Sequence, residues 1–385
     1  MEKIVNKFSV GLQSNNDPMY IVVIIDTEID ADPKTHIMNY IEYVVNRNDL
    51  FKKCIIQKED HLYFQECSDF KLESHVVFDD STTDIADKTA NMPVDGKTPS
   101  WRWYCSIDET THKCRLCLKI NHVYADGYKL IKLLTPDEVD VTTTFRKKTL
   151  KILDRVYYAL VGTIISVWIC IKFMVNMVWY EKMSKHEIKR QQHFVYDTIS
   201  LERIKTYTKK NDVTVNDFMM SVCMQSYKKY KGAKDGYVAC PINNNNTNQE
   251  NNMMAIVINL NDSDLGRVHE QMNCFKNSYI FPAITLILHY LNVSNSTLNK
   301  WYNKCNSGVD VIYTNMIAPK ITMEHIKINN IFFFLNTHTS NDHVVSFNVI
   351  SYEDNLNLIV SFKEGIDDIE QFKKCITSTL NYMLD

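Results

Sequence analysis

The sequence predicts an α/β protein built from two similar domains. Three observations carry that reading. Short β-branched runs alternate with amphipathic stretches of helical period before residue 145 and again after 193. Between them lies an apolar segment, residues 156–180, whose only charge is Lys172. Hydrophobic residues make up 45% of the 385, enough to bury a core in each half. We therefore divide the chain into an N-terminal domain (1–145), a crossover holding the apolar segment (146–192) and a C-terminal domain (193–385).

In chain order, Tyr20–Ile25 is a short β-branched run and reads as a buried strand. Asp32 and Pro33 then start a helix, Asp as cap and Pro in the first turn. Ile37, Met38, Ile41, Val44 and Val45 give it an apolar stripe. Residues Lys113–Asn121 alternate as a second strand. Cys114, Leu116, Leu118 and Ile120 share one face, Arg115, Cys117 and Lys119 the other. His122 continues the apolar phase and so points inward where the strand ends. Asp126-Gly127 turns the chain into a helix carrying Leu130, Ile131, Leu133 and Leu134.

The apolar segment is long enough to cross a bilayer, which takes about 20 residues. Lys172 interrupts it, and basic residues flank both ends (Arg146, Lys147, Lys148, Arg155; Lys182, Lys185, Lys189, Arg190), so charge sets no orientation. A hairpin or a helix lying in one leaflet is the preferred reading. A single span and a buried crossover helix are the alternatives.

The second domain opens on a strand near His193–Ser200. Thr214-Val215-Asn216-Asp217 reads as a capping box starting a helix, with Val215, Phe218, Met219, Val222 and Cys223 on its apolar face and Gly232 at its end. A polar Asn-rich loop follows at 243–252. Strands are expected at Val309–Thr314, Ile331–Leu335, Val344–Ile350 and Leu356–Phe362, and a last helix over Asp367–Leu384.

Composition excludes several classes. Forty-three basic against 46 acidic residues give a net charge of -3, no signature of a nucleic-acid partner. Eleven cysteines without a framework, and no signal-peptide pattern, indicate a reducing, cytosol-facing setting. Cys114-Arg115-Leu116-Cys117 is a C-x-x-C, but on a strand its thiols face opposite ways, so no metal is expected. A Gly-rich phosphate loop and a Gly-x-Ser-x-Gly elbow are both missing, which argues against a nucleotide-dependent enzyme and a serine hydrolase, and no permanently bound cofactor is expected. Trp101 and Trp103 are expected to pack at a domain boundary.

His122-Val-Tyr-Ala-Asp126-Gly127 is the segment with chemistry in it. Moving an acyl group from a thioester to an alcohol needs a base for the hydroxyl proton, and histidine titrates near neutrality. Asp126 can hold the turn by pairing with a cation or with backbone donors. Gly127 permits a conformation or a close approach that a Cβ obstructs. The oxyanion of the tetrahedral intermediate needs donors, which Asn216 at a helix start can supply or position. Three fixed residues recur by chance, so the segment alone is weak.

Its surroundings add to it. Phe70–Val76 (FKLESHV), Pro99-Ser100-Trp101, Asn121-His122 to Gly127, Thr214 to Asp217, Asn315 to Pro319 (NMIAP) and Ser351-Tyr352 follow one another in the order of a family's motifs. In these the sequence resembles the wax ester synthase/diacylglycerol acyltransferase family, of the chloramphenicol-acetyltransferase-like superfamily of CoA-dependent acyltransferases. The resemblance runs from about Pro18 to the C-terminus. It implies two chloramphenicol-acetyltransferase-like domains, mixed sheets flanked by helices, meeting along a tunnel.

It further implies that His122 is the general base, with no acyl-enzyme, that Asp126 is mainly structural and that Asn216 supports the site from the second domain. Asn121, Gly127, Trp101, Asn315 and Pro319 fall at substrate-binding or supporting positions. Acyl-CoA is the implied co-substrate, and a long-chain alcohol or diacylglycerol the acceptor, giving wax ester or triacylglycerol. Membrane lipid is a further partner, at a cytosol-facing membrane (the endoplasmic reticulum or lipid-droplet surface in a eukaryotic or viral host). The sequence departs from the pattern at Asn121, where the family has a first His, at Ser100, and at Asn315–Pro319, which lacks the family's Gly. The other readings are a short alcohol or amine acceptor, and a non-catalytic lipid-binding protein on the same fold.

Overall fold

A computed structural model of the chain describes residues 3–5, 18–29, 31–59, 61–79, 85–94, 97–135, 152–179, 192–232, 236–243, 253–280, 283–284, 294–321, 323–336, 345–362 and 366–385. The first half contains β1 (Lys3–Ile4), β2 (Tyr20–Ile29), α1 (Pro33–Asn46), β3 (Lys53–Lys58), β4 (His61–Glu66), β5 (Val76–Phe78), α2 (Ile85–Asn91), β6 (Trp101–Asp108), β7 (Lys113–Asn121) and α3 (Gly127–Leu134). The apolar segment forms α4 (Ile152–Tyr157), a π turn (Tyr158–Gly162) and α5 (Thr163–Trp179). The second half holds β8 (Gln192–Ser200), α6 (Leu201–Lys210), α7 (Val215–Lys231), β9 (Tyr237–Asn243), β10 (Met253–Asn259), α8 (Leu265–Asn277), α9 (Asn295–Ser307), β11 (Val311–Ala318), β12 (Ile326–Asn336), β13 (Val345–Tyr352), β14 (Asn355–Phe362) and α10 (Ile369–Leu384).

Local chemistry accounts for the elements that hold the site. Pro33 sits in the first turn of α1 and Asp32 accepts from the Thr35 N–H; the stripe Ile37, Ile41, Val44, Val45 is buried. Along β7, Cys114, Leu116, Leu118 and Ile120 enter the main core, while Cys117 faces the other way, among Val22, Ile24 and the residues of α2. The two thiols of the C-x-x-C are therefore on opposite faces. The capping box at Thr214 and Asp217 starts α7, and Gly232, at φ +63°, ends it.

Both large sheets are mixed. The first has the order β12-β2-β7-β6-β5, the second β10-β9-β11-β13-β14-β8, and a small sheet β1-β4-β3 stands beside the first. β12, from the C-terminal half of the chain, is one of the two edge strands of the N-terminal sheet. It pairs antiparallel with β2 from Ile326↔Ile29 to Asn336↔Tyr20. Two buried asparagines fasten it to the other sheet: Asn348 Oδ1 accepts from the Leu335 N–H at 3.2 Å, and Asn357 Nδ2 donates to the Ile331 carbonyl at 2.9 Å. One core thus joins Ile21, Val23 and Ile25 of β2 to Ile331 and Phe333 of β12 and Ile350 of β13.

The apolar segment is one helical stretch, not a hairpin. Its only glycine, Gly162, is used for close packing on α8: a Cβ there would lie 3.3 Å from Cys274 Cα. Ser166 and Phe173 share the packed side, and the Phe173 ring meets Tyr237 edge-on at 5.0 Å. The other side is open and apolar, with Leu160 62%, Ile164 70% and Trp168 56% exposed. Lys172 places its ammonium 5.3 Å from the Trp168 ring. From Ile152 to Val175 the helix is long and apolar enough, by length and composition, to cross a membrane, but one side is attached to protein. The basic flanks at 146–151 and 182–190 and the Asn-rich stretch 244–252 lie outside the described residues.

Candidate active site

His122 follows the last residue of β7 and is buried. Its amide extends the ladder beyond the strand, donating to Met19 O at 2.8 Å. The turn that carries it is tied down on several sides. Asn121, also buried, accepts the Val123 N–H on Oδ1 at 2.9 Å and the Tyr124 N–H on its carbonyl at 3.0 Å. Tyr124 is a site residue that sequence reasoning missed. Its hydroxyl accepts from Ser100 N at 3.1 Å and donates to Lys53 O at 2.6 Å. Burial pushes that phenol far above its ordinary range, so it stays a neutral donor. The available signal was an aromatic two residues past the histidine, where a solvated turn has no use for one.

Asp126 is the N-cap of α3. Its side chain accepts from the Lys129 N–H at 2.8 Å, and its carbonyl from Leu130 N at 2.8 Å. A backbone donor is thus among the partners of this carboxylate. Gly127 opens α3 and lies against β11: a Cβ there would sit 2.1 Å from Met316 Sδ. That contact joins the His122 segment to the NMIAP segment of the other half. Beside Met316, Asn315 Nδ2 donates to Asn216 Oδ1 at 3.1 Å, and Tyr313 OH donates to the Asn216 carbonyl at 3.2 Å. Gly127, the NMIAP segment and Asn216 therefore form one connected group. Pro319 is buried just past β11.

Trp101 stands apart. It is fully buried in the first half, its indole N–H donating to Phe51 O at 2.8 Å and its ring 4.3 Å from that of His75. His75 Nδ1 lies 2.9 Å from Trp101 O, and burial lowers its pKa. Trp103 packs against Tyr40. These tryptophans are core residues of the N-terminal half rather than residues of a domain boundary, because β6 turns that face onto α1 and the segment at Phe51.

Past Gly127, the inner face of α3 lines an apolar cavity with Val23 and Ile25 of β2, Met316 of β11 and Phe333 of β12. Its volume is about 20 Å³. Pockets that bury small ligands are about 300–1,000 Å³. The cavity is closed down here, and Met316 against Gly127 is one of the contacts that close it.

The comparisons with known proteins follow this geometry. Residues 254–384 match the family model of the WS/DGAT C-terminal domain. No curated protein matches the sequence. The structure is similar to the wax ester synthase/diacylglycerol acyltransferase from Marinobacter aquaeolei (TM-score 0.61, 13% identity, covering 99% of this chain and 98% of that one). It is also similar to trichothecene 15-O-acetyltransferase from Fusarium sporotrichioides (TM-score 0.68, 10% identity, 99% and 95%). A third likeness is to the starter condensation domain of rhizomide synthetase, solved with C8-CoA and Leu-SNAC (TM-score 0.56, 9% identity, 95% and 88%).

At such identities the likeness is one of fold: the two-domain α/β fold that these acyltransferases and condensation domains share. Within it, residues 254–384 carry the wax ester synthase/diacylglycerol acyltransferase C-terminal domain, and the resemblance read from the motifs stands.

Proposed function

We propose that this chain is an acyl-CoA-dependent O-acyltransferase. The donor is a long-chain acyl-CoA, and the acceptor a long-chain alcohol or diacylglycerol. One observation supports this above the others. A buried histidine, on a turn fixed by Asn121, Tyr124 and Asp126, leads directly into a helix whose apolar face meets the second half at a closed apolar cavity. The match of residues 254–384 to the WS/DGAT C-terminal domain supports acyl transfer as the chemistry for that arrangement.

In this reading His122 takes the hydroxyl proton as the alcohol oxygen attacks the thioester carbonyl. The C–S bond then breaks, and the imidazolium returns the proton to the departing CoA thiolate. No acyl-enzyme forms, since acceptor and donor meet directly. Asp126 acts as a cap and keeps the turn in shape. Asn216, held by Asn315 and Tyr313, supports the charge that develops on the carbonyl oxygen. The acyl chain enters the cavity as Met316 and α3 move apart. The exposed apolar side of α4 and α5 seats the protein on a cytosol-facing membrane, where its acceptors partition.

The test is ester formation by full-length protein from labelled palmitoyl-CoA, with hexadecanol or diacylglycerol, beside His122→Ala. Loss of a general base costs about 10²–10⁴ in rate. Product that falls by that much supports the reading and identifies the acceptor. Folded parent protein that forms no ester with either acceptor refutes it. Lipid binding that survives His122→Ala then favours a non-catalytic lipid carrier.

A further inference from the structure

A line of polar side chains runs through the second half, from the first turn of α7 to the apolar helix. Asp217 is buried, and its Oδ2 accepts from Thr214 N at 3.1 Å and lies 2.7 Å from His269 Nδ1. Its Oδ1 is buried with no hydrogen-bond partner among the described residues. His269 is the side chain that ties this carboxylate to another helix, the Thr214 bonds being local to the cap of α7. Burial raises the Asp217 pKa; the His269 hydrogen bond, then the charge of Lys276 and the bonds from Thr214, outweigh it and hold the carboxyl below its ordinary range.

The His269 ring bridges two partners. Its Nε2 lies 3.0 Å from Asn273 Nδ2. An amide nitrogen only donates, so Nε2 accepts and Nδ1 carries the proton given to Asp217. Asn273, one turn further along α8, also hydrogen-bonds the side chain of Tyr158.

Tyr158 opens the π turn of the apolar segment, and the segment is clamped to the second half at this point. Gly162 packs on the Cys274 backbone, and Thr163 Oγ1 accepts from Tyr279 N at 3.0 Å. Single π turns recur where a helix has a functional distortion. At the other end of the line, Asn216 precedes Asp217 and is held from β11.

We propose that Tyr158, Asn273, His269 and Asp217 form a positioning relay, through which seating of the apolar helix on a lipid surface is felt by the first turn of α7 and by Asn216. The proposal rests on the membrane-bound acyltransferase reading and adds lipid regulation of the same site. His269 is its positioning residue: it touches no reacting atom and acts through Asp217. A displacement of α8 relative to α7 stretches a bond that a buried carboxylate cannot replace, so Asp217 follows it.

The experiment is hydrogen exchange on the full chain, with and without vesicles of phosphatidylcholine and phosphatidylserine, read in the peptide 213–222. Vesicles change exchange there in the parent. Tyr158→Phe, which removes one hydroxyl, and His269→Gln both lose that change while floating with vesicles as the parent does. A parent that does not bind vesicles, a parent that binds without a change in this peptide, or variants that keep the change each overturn the relay. None of these readouts needs turnover, so failure of the acyltransferase reading is seen separately. If ester forms, the rise in kcat on adding vesicles disappears in Tyr158→Phe, and the rate without vesicles stays at the parent value.

Discussion

Gly127→Ala tests the contact that joins the two halves at the site. An added Cβ would stand 2.1 Å from Met316 Sδ. Heavy atoms in good contact stand about 3.5–4.0 Å apart, so one side must yield by roughly 1.5 Å. Gly127 is not among the glycines at positive φ, so alanine meets no backbone strain and the penalty is steric. Overpacking of this kind costs about 1–3 kcal/mol. Exchanging Gly for Ala within a helix returns at most about 1 kcal/mol, and less in a first turn. We expect a net loss of about 1–2 kcal/mol in denaturant unfolding. The decisive assay is a double-mutant cycle with Met316→Ala, which removes the opposing sulfur. In that background Gly127→Ala should become neutral or stabilising, a coupling of about 1–3 kcal/mol. An equal loss in both backgrounds would refute the reasoning, since the clash with Met316 would then not be the cause.

Other consequences can be measured in parallel. Asn216→Ala and Asn315→Ala should each lower stability by about 1 kcal/mol, and together by less than the sum, because either change leaves the other amide short of a partner. Leu160→Asp with Ile164→Asp should change unfolding free energy by no more than about 0.5 kcal/mol per site, these side chains being exposed, yet abolish flotation with vesicles. Asp217 has a folded pKa below its unfolded one. Its stabilisation is therefore complete above the unfolded value, about 3.9, and is lost as pH falls through the lower folded value. Thermal melts from pH 5 downward should show a steeper loss for the parent than for Asp217→Asn, and parallel curves would contradict the shift.

What the sequence disclosed depended on whether the signal was local. β7 runs over Lys113–Asn121 as its alternation predicts, because its side chains go by turns to two different cores and only the main-core face is apolar throughout. The cap and proline of α1 and the capping box of α7 are chemical statements made within four residues. The turn at His122 was recognisable, but Tyr124 was not, because its partners Ser100 and Lys53 are distant in sequence. His269 escaped for the same reason: it meets Asp217 across 52 positions. The strand at 331–335 was expected, but its membership of the N-terminal sheet was not. Pairing partners leave no trace in the alternation of one strand. The apolar segment read as a hairpin or a helix in one leaflet. Which side faces protein was set by Gly162, Ser166 and Phe173, whose spacing carries meaning only once α8 is known to lie there.

The placement of β12 also bears on how the chain is made. During synthesis β2 emerges early, yet its neighbour on one side, Ile326–Asn336, is some three hundred residues behind. At ribosomal speeds of about 5–20 residues per second, that is a wait of tens of seconds. Until then the edge of β2 offers unpaired amides and carbonyls along a run of valines and isoleucines, a template for wrong partners. A protein cut between its halves would keep that edge open for good. Expression of the isolated first half should therefore yield aggregate, and a fragment beginning before β8, supplied in trans, should rescue it only if present while the first half is still emerging.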